Sequence, residues 1–423
     1  MQSIVESGVV AAEQVDEAGW NERNAYVLLC AIDRAFATLD PYVGTRHQGE
    51  LRRFRTTFRR LRRYNKDGTD GAVLPRRSFP ARPQQIPDHE ADHFHSLMLV
   101  PALPADVRFR YLHPEFDFPE RTRAETDIAV GCVPFLASTD ELDITRIEDA
   151  EPWYSIKART TCRGDIARWQ QRISQVLANL DDSGAHIGVL PELALTDELL
   201  DRWQKHLLAT PRTPASNLEW VLVGTGPLTI DQDAEQSPNR AVLLHRDTGR
   251  TLMTQDKRSP FTMTDQQIHD WQLTALAPGP LTEWMHDSRD GHEVLETRIA
   301  RLAILICEDV SRLLTVGAAV AGLAPTLLLV PVFAPPILRY RWQHTAAEQF
   351  AHNTGSATVV ATSCAITLRP DPHRPPVAAG DSGTALVLMP HQPGPSDTWS
   401  IDVRLGDACG DPTRVVVLPV PRS

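Results

Sequence analysis

Residues 301–312 read Arg-Leu-Ala-Ile-Leu-Ile-Cys-Glu-Asp-Val-Ser-Arg, an apolar run of strand length that stops at a thiol followed by two acids. Leu302 to Ile306 shows no alternation of apolar and polar residues. The strand it predicts is therefore apolar on both faces and belongs inside a covered sheet. Runs of the same kind recur at 128–135, 186–190, 220–224, 241–245, 326–333, 357–363, 384–389, 400–403 and 415–418. Between some of them lie helical patterns. Over 166–180, Ile166, Trp169, Ile173, Val176, Leu177 and Leu180 share one face, and a second helix is expected over 339–353, ending near Asn353-Thr-Gly. Strand, helix and strand in this order predict an α/β domain whose sheets are covered by helices.

One segment has the length of a membrane span. Leu314 to Leu338 carries no charge, enough residues to cross a bilayer. It also holds Pro325, Pro331, Pro335 and Pro336 with Gly317 and Gly322, which fits a helix near 311–323 followed by a buried strand near 326–333. No membrane contact is expected.

The composition agrees with a folded enzyme-sized chain. Its 423 residues are 42% hydrophobic, which excludes wholesale disorder, collagen and coiled coil. With 43 Lys+Arg against 54 Asp+Glu the net charge is −11, which argues against a general nucleic-acid coat protein. The six cysteines are scattered and none forms CxxC, so neither a disulfide framework nor a cysteine zinc site is expected. Reduced cysteines and a start (Met1-Gln-Ser-Ile-Val-Glu) without a basic stretch before an apolar run point to the cytoplasm.

The texture changes near residue 125. Residues 1–125 read as an N-terminal extension, with helices over about 22–39 and 48–64 and then a Pro-rich tract of loops and short pieces from Pro75 to Pro119. Residues 126–423 read as the α/β domain. No GxGxxG or GxxxxGK[ST] opens a helix there, so no nucleotide-phosphate cradle is expected.

Three predicted strand ends carry reactive side chains. The run 186–190 ends in Pro191-Glu192-Leu193, a hairpin strand from Leu252 ends at Lys257, and the run quoted first ends at Cys307. In open α/β sheets, sites gather at the carboxyl ends of strands. Lys257 is one of four lysines among 43 basic residues, and a compact ammonium differs from a guanidinium in what it can do. Taken singly, each has an ordinary reading: core thiol, loop carboxylate, surface cation. Together they suit attack on an amide or nitrile. A carboxylate accepts the thiol proton, and an ammonium with a backbone N–H stabilises the oxyanion. A cysteine at a helix start would also gain from the macrodipole.

The order LPELALT with Glu192, QDKRSPF with Lys257 and RLAILICEDVSR with Cys307 resembles the nitrilase superfamily of carbon–nitrogen hydrolases, over about residues 127–420. The segments Asp127-Ile-Ala-Val-Gly, Trp342-Gln-His-Thr-Ala-Ala, Thr358 to Cys364 and Gly380-Asp-Ser-Gly-Thr-Ala-Leu-Val resemble the family in the same order. The resemblance implies a four-layer α-β-β-α sandwich with Cys307 as nucleophile and Glu192 as general base. Lys257 and the backbone N–H of Glu308 would hold the oxyanion. The family's second Glu has no match shortly after Lys257. Asp265, flanked by Gln266 and Gln267, either takes its place or the role is missing. Cys-Glu-Asp resembles the amidase and glutaminase branches, which implies carboxamide rather than nitrile substrates. The resemblance further implies a small-molecule amide substrate, no metal or organic cofactor, and a homodimer or larger homo-oligomer.

Two features fall outside this reading. His89-Glu-Ala-Asp-His93 matches HExxH, with His95, His113 and Glu115 as further candidate ligands, but Pro87 and Pro101 leave little helix to hold zinc. The stretch Arg52–Arg63 is rich in arginine and interleaved with Phe54 and Phe58. It reads first as a helix docked on the protein's own carboxylates, and second as an arm for phosphate, nucleic acid or a protein partner. The second reading goes with a different class of function, a nitrilase-like scaffold acting as a binding or regulatory subunit.

Overall fold

The computed structural model describes residues 72–75, 97–100, 107–119, 127–148, 152–227, 238–285, 291–338, 342–366, 382–391, 400–407 and 410–421. The chain divides into two units, Met1–Ala105 and Asp106–Ser423. In the first, β1 (Ala72–Pro75) pairs antiparallel with β2 (Leu97–Val100). The expected helices at 22–39 and 48–64, and the His89–His93 motif, lie outside the described residues.

The second unit begins about twenty residues before the expected boundary. β3 (Val107–Tyr111) buries Val107 and Phe109 and exposes Arg108 and Arg110, the period-two pattern of a strand with one covered face. It pairs parallel with β13 (His292–Glu296), so the segment belongs to the α/β unit rather than to the extension. The alternation Val107-Arg-Phe-Arg-Tyr111 is visible in the sequence, but it lies within the Pro-rich tract that reads as loops and short pieces.

In chain order there follow β4 (Asp127–Cys132), β5 (Leu142–Ile147), β6 (Trp153–Ala158), α1 (Arg163–Asp182), β7 (Ile187–Val189) and α2 (Asp197–Ala209). Then come β8 (Trp220–Pro227), β9 (Asn239–His245), β10 (Thr251–Asp256), β11 (Thr262–Met263), α3 (Asp265–Asp270) and β12 (Leu281–Glu283). After β13 the chain continues through β14 (Arg301–Ile304), β15 (Leu327–Pro331), β16 (Ile337–Leu338), α4 (Trp342–Thr354) and β17 (Ala357–Ala361). It closes with β18 (Ser382–Gly383), β19 (Ala385–His391), β20 (Ser400–Gly406) and β21 (Val416–Pro421).

Two large sheets result. One runs β10-β9-β8-β7-β4-β21, with β4, β7 and β8 parallel; the other runs β20-β19-β17-β15-β14-β13-β3, with β14, β15 and β17 parallel. β10 lies against β13, and β21 against β19 and β20. α2 packs on β8 and on α1, α1 sets Leu180 against Gly131 of β4 and Gly188 of β7, and α4 packs on β17 and β19 of the other sheet. The expected α-β-β-α layering is therefore present. The central strands β7, β14, β15 and β17 are buried along their whole length, as two-sided covering requires. A third, four-stranded sheet, β11-β12-β6-β5, adds to the expected layers.

Packing explains why the helices sit where they do. α1 starts at Cys162, whose thiol accepts the Asp165 N–H while the Asp165 carboxylate accepts the Cys162 N–H. Its face of Trp169, Ile173, Val176, Leu177 and Leu180 is buried, each side chain stabilising the fold by roughly 1.5–3 kcal/mol. Leu180 reaches the sheet only because residue 188 is glycine, where a Cβ would come within 2.8 Å of the leucine. α2, absent from the sequence expectations, buries Leu199, Trp203 and Leu207 at helical spacing and is capped by Thr196. Fully buried Arg246 grips Asp181 of α1 through two nitrogens, at 3.1 and 2.6 Å, and donates to the Thr210 carbonyl just past α2.

The uncharged stretch from Leu314 resolves into a five-residue helical turn, Leu313–Gly317, a short helix, Ala318–Ala321, and buried β15. Among the described residues, no helix is long and apolar enough to cross a membrane.

Candidate active site

Each of the three singled-out side chains follows a strand in the large sheets. Glu192 comes just after β7, in a turn where Leu193 has φ 60°. The turn presses on β8 at Gly224, where a Cβ would meet the Pro191 carbonyl oxygen at 2.3 Å, so only glycine fits. Lys257 comes just after β10, its N–H donating to the Asn239 carbonyl at 2.7 Å. Cys307 follows the β14 run and opens a five-residue 3₁₀ turn, Cys307–Ser311, with φ 49°. A non-glycine residue in this left-handed region costs energy that the surrounding packing must hold.

The three meet. Lys257 Nζ donates to Glu192 Oε1 at 2.8 Å, and the Cys307 thiol is hydrogen-bonded to Glu192. All are buried: Glu192 and Lys257 are 2% exposed and Cys307 4%. All three line one cleft.

A second carboxylate completes the cluster, and it is Glu283 of β12. Lys257 Nζ donates to Glu283 Oε2 at 2.5 Å. Asn239 divides its amide between the two acids, Nδ2 donating to Glu192 Oε1 at 2.7 Å and to Glu283 Oε1 at 2.9 Å. Backbone donors add to both acids: Phe333 N–H reaches Glu192 Oε2 at 2.9 Å, and Phe261 N–H joins Lys257 on Glu283 Oε2 at 3.2 Å. Buried carboxylates persist in charged form only when satisfied in this way. Asn239 Oδ1 is buried and has no hydrogen-bond partner among the described residues.

Asp265, expected as the family's second acid, is elsewhere. It is exposed in the first turn of α3 and accepts the Gly279 N–H. The acid that does meet Lys257 sits in a three-residue strand, Leu281-Thr-Glu, within a stretch that reads as loop because so short a strand shows no period. Glu308 follows Cys307 in the same turn, and its side chain pairs with Arg312 at 2.9 Å.

Asp309, two residues beyond the thiol, ties the nucleophile turn to the lysine loop. Its carboxylate accepts from Arg258 N–H at 3.1 Å and Ser259 N–H at 2.8 Å. Burial pushes its pKa up to about 7, against the pull of these donors and of Lys257.

The electrostatics depart from one expectation. The Cys307 thiol is pushed well above its ordinary pKa, first by burial and next by the negative charge of Glu192, with Lys257 opposing. The helix-dipole lowering does not prevail, because a five-residue turn has few aligned peptides and the Glu192 carboxylate is bonded to the sulfur. Burial works against the Lys257 ammonium, but Glu192 and Glu283 outweigh it and hold its pKa well above the usual value. The resting cluster therefore holds Cys307 as a thiol and Lys257 as an ammonium.

The four-stranded sheet and its neighbours wall the cleft. Tyr154 and Ile156 come from β6, Phe261 precedes β11, Met263 lies in it, and Trp271 follows α3. Phe261 and Trp271 stack at 5.9 Å and 6°, and the Tyr154 hydroxyl donates to the Phe261 carbonyl at 3.3 Å. Among the described residues, no group of three or more His, Cys, Asp or Glu could hold a metal ion.

No protein-family model and no curated protein matches the chain. Among solved structures it is similar to an amidase from Nesterenkonia sp., at 15% identity over 70% of this chain and 92% of that one, with a TM-score of 0.39. It is also similar to the C. elegans NitFhit protein, at 14% identity over 70% of this chain and 61% of that one, with a TM-score of 0.42. A third is Saccharomyces cerevisiae Nit3, a member of branch 10 of the nitrilase superfamily, at 12% identity over 70% and 91%, with a TM-score of 0.37.

Proposed function

We propose that the chain is a member of the nitrilase superfamily and a thiol-dependent carbon–nitrogen hydrolase, acting on a carboxamide rather than a nitrile. The observation that carries this reading is the contact of Glu192 with both the Cys307 thiol and the Lys257 ammonium inside one buried cleft. Three residues spread over 115 positions of sequence have no packing reason to converge as thiol, base and cation.

The chemistry follows from the charges. Cys307 rests protonated, so Glu192 takes its proton as the sulfur attacks the amide carbon. Of the three ammonium protons of Lys257, two serve Glu192 and Glu283, and the third is available to the oxyanion, with the Glu308 N–H as the second donor. The C–N bond breaks as Glu192 returns its proton to the leaving nitrogen, releasing ammonia or an amine and leaving a Cys307 thioester. Glu192 then deprotonates a water, which adds to the thioester. The acid leaves and the sulfur regains a proton. Glu283 holds Lys257 in place, and the Asn239 amide group holds both carboxylates.

Intact-mass spectrometry after incubation with a panel of amides tests the reading. The unsubstituted protein is expected to gain an acyl mass that maps to Cys307 and to release ammonia or amine. Cys307→Ala should show neither, and Glu192→Gln should lower turnover by about 10²–10⁴-fold. A folded protein that gives no adduct and no release with any amide would overturn it.

A further inference from the structure

Resting on that reading, we infer that the cleft takes a neutral carboxamide whose acyl group is aromatic or an extended apolar chain, and rejects the side-chain amide of a free amino acid such as glutamine.

The charged lining is already committed. Among the described residues around the cleft, the ionic groups are Glu192, Glu283 and Lys257, and the one ammonium is already shared between the two acids of the catalytic cluster. A free amino acid brings an ammonium and a carboxylate, and each needs a counter-charge once desolvated. The cluster already contains one more carboxylate than ammonium, so a substrate carboxylate would meet net repulsion. No second cation lines the cleft among the described residues.

Its spare hydrogen-bonding capacity is neutral. One Lys257 proton is unspent, and Asn239 Oδ1 is a buried acceptor without a partner among the described residues. One donor and one acceptor complement the carbonyl and the N–H of a carboxamide. A nitrile nitrogen has no proton to give Asn239, which adds to the preference for amides.

The rest of the wall is apolar and rigid. Phe261 and Trp271 are held face to face, Trp271 is 8% exposed, and half-buried Trp284 packs edge-on to Trp153 at 5.4 Å. Met263 and Phe333, both buried, line the same cleft. Flat, preformed aromatic walls favour a ring or an extended methylene chain over a two-carbon acyl group, which would leave them unfilled.

The experiment compares kcat/KM of the full chain for phenylacetamide, hexanamide, acetamide and L-glutamine. It also measures phenylacetamide and glutamine binding to Cys307→Ala by tryptophan fluorescence. Phenylacetamide and hexanamide are expected to exceed acetamide by at least about tenfold, with glutamine slower still, and Trp271→Leu should erase most of the advantage of the ring. Glutamine or acetamide turned over as well as phenylacetamide by the unsubstituted chain would overturn the inference while leaving the hydrolase standing. Phenylacetamide binding to Cys307→Ala, with no amide turned over by the parent, would keep the preference and remove the hydrolase. Neither binding nor turnover would remove both.

Discussion

Glu283 meets Lys257 at 2.5 Å, on the same ammonium that Glu192 reaches at 2.8 Å. One cation thus serves two acids, and the Asn239 amide bridges those acids a second time. The reactive group and the group that steadies it are chemically alike. Their surroundings separate them: Glu192 is bonded to the thiol, and Glu283 receives the Phe261 N–H.

Glu283→Gln keeps the shape of the side chain and removes its charge. Hydrolysis is expected to fall by about 10²-fold or more, because Lys257 loses the anion that fixes its orientation toward the oxyanion. Asp265→Asn should leave kcat unchanged, since that carboxylate serves only the Gly279 turn. Parallel kinetics on the two variants check this, and a reversal of their order would return the second-acid role to Asp265.

Lys257→Met leaves two buried carboxylates facing each other without a cation. The expected loss of stability is roughly 3–5 kcal/mol, as for breaking other buried pairs. Adding Glu192→Gln and Glu283→Gln to the same chain should recover most of it, because the uncompensated charge is what costs. Urea unfolding of the single and triple variants measures both. A single variant as stable as the parent would mean that the acids are not held ionised by Lys257.

Asp309 makes stability depend on pH in an unusual direction. Its folded pKa of about 7 lies above the ordinary 3.8, so between those values the native state holds more protons than the unfolded chain. Its contribution is therefore full below about pH 4 and is lost as pH rises through 7, on the order of 4 kcal/mol over the window. Asp309→Asn should flatten that slope between pH 5 and pH 8 in urea titrations. An unchanged slope would place the titration elsewhere.

Alkylation separates the thiols. Iodoacetamide at neutral pH is expected to modify Cys162 before Cys307, because Cys162 is exposed at the start of α1 whereas Cys307 is buried and protonated. Cys132, pushed to about 12 by burial, should be slower still. Peptide mapping at short times reads the order. Cys307 reacting first would mean a preformed thiolate, leaving Glu192 no proton to take.

Much of the sandwich is legible in the residue pattern. Long apolar strands such as 301–306 and 326–333 can only lie between covered faces, and the helix over 166–180 declares its stripe through six residues at helical spacing, five of which are buried. Shorter elements are silent. β3 alternates over only five residues inside a Pro-rich tract, and β12 is three residues whose signal lies in its partners rather than in its own period. α2 carries both a capping threonine and a repeat at Leu199, Trp203 and Leu207, a signal strong enough to be found.

By itself the sequence determined the layers and the chemical types at three strand ends, because burial on two faces and the residues that interrupt it are local properties of a chain. The tertiary structure alone decided which acid joins them and in what protonation state the sulfur waits. Glu283 reaches Lys257 by the pairing of β12 with β6, and the Cys307 thiol is raised first by burial and next by a carboxylate 115 positions away. Distance in water and burial in a shared cleft act on charge with strengths that no spacing along a chain encodes.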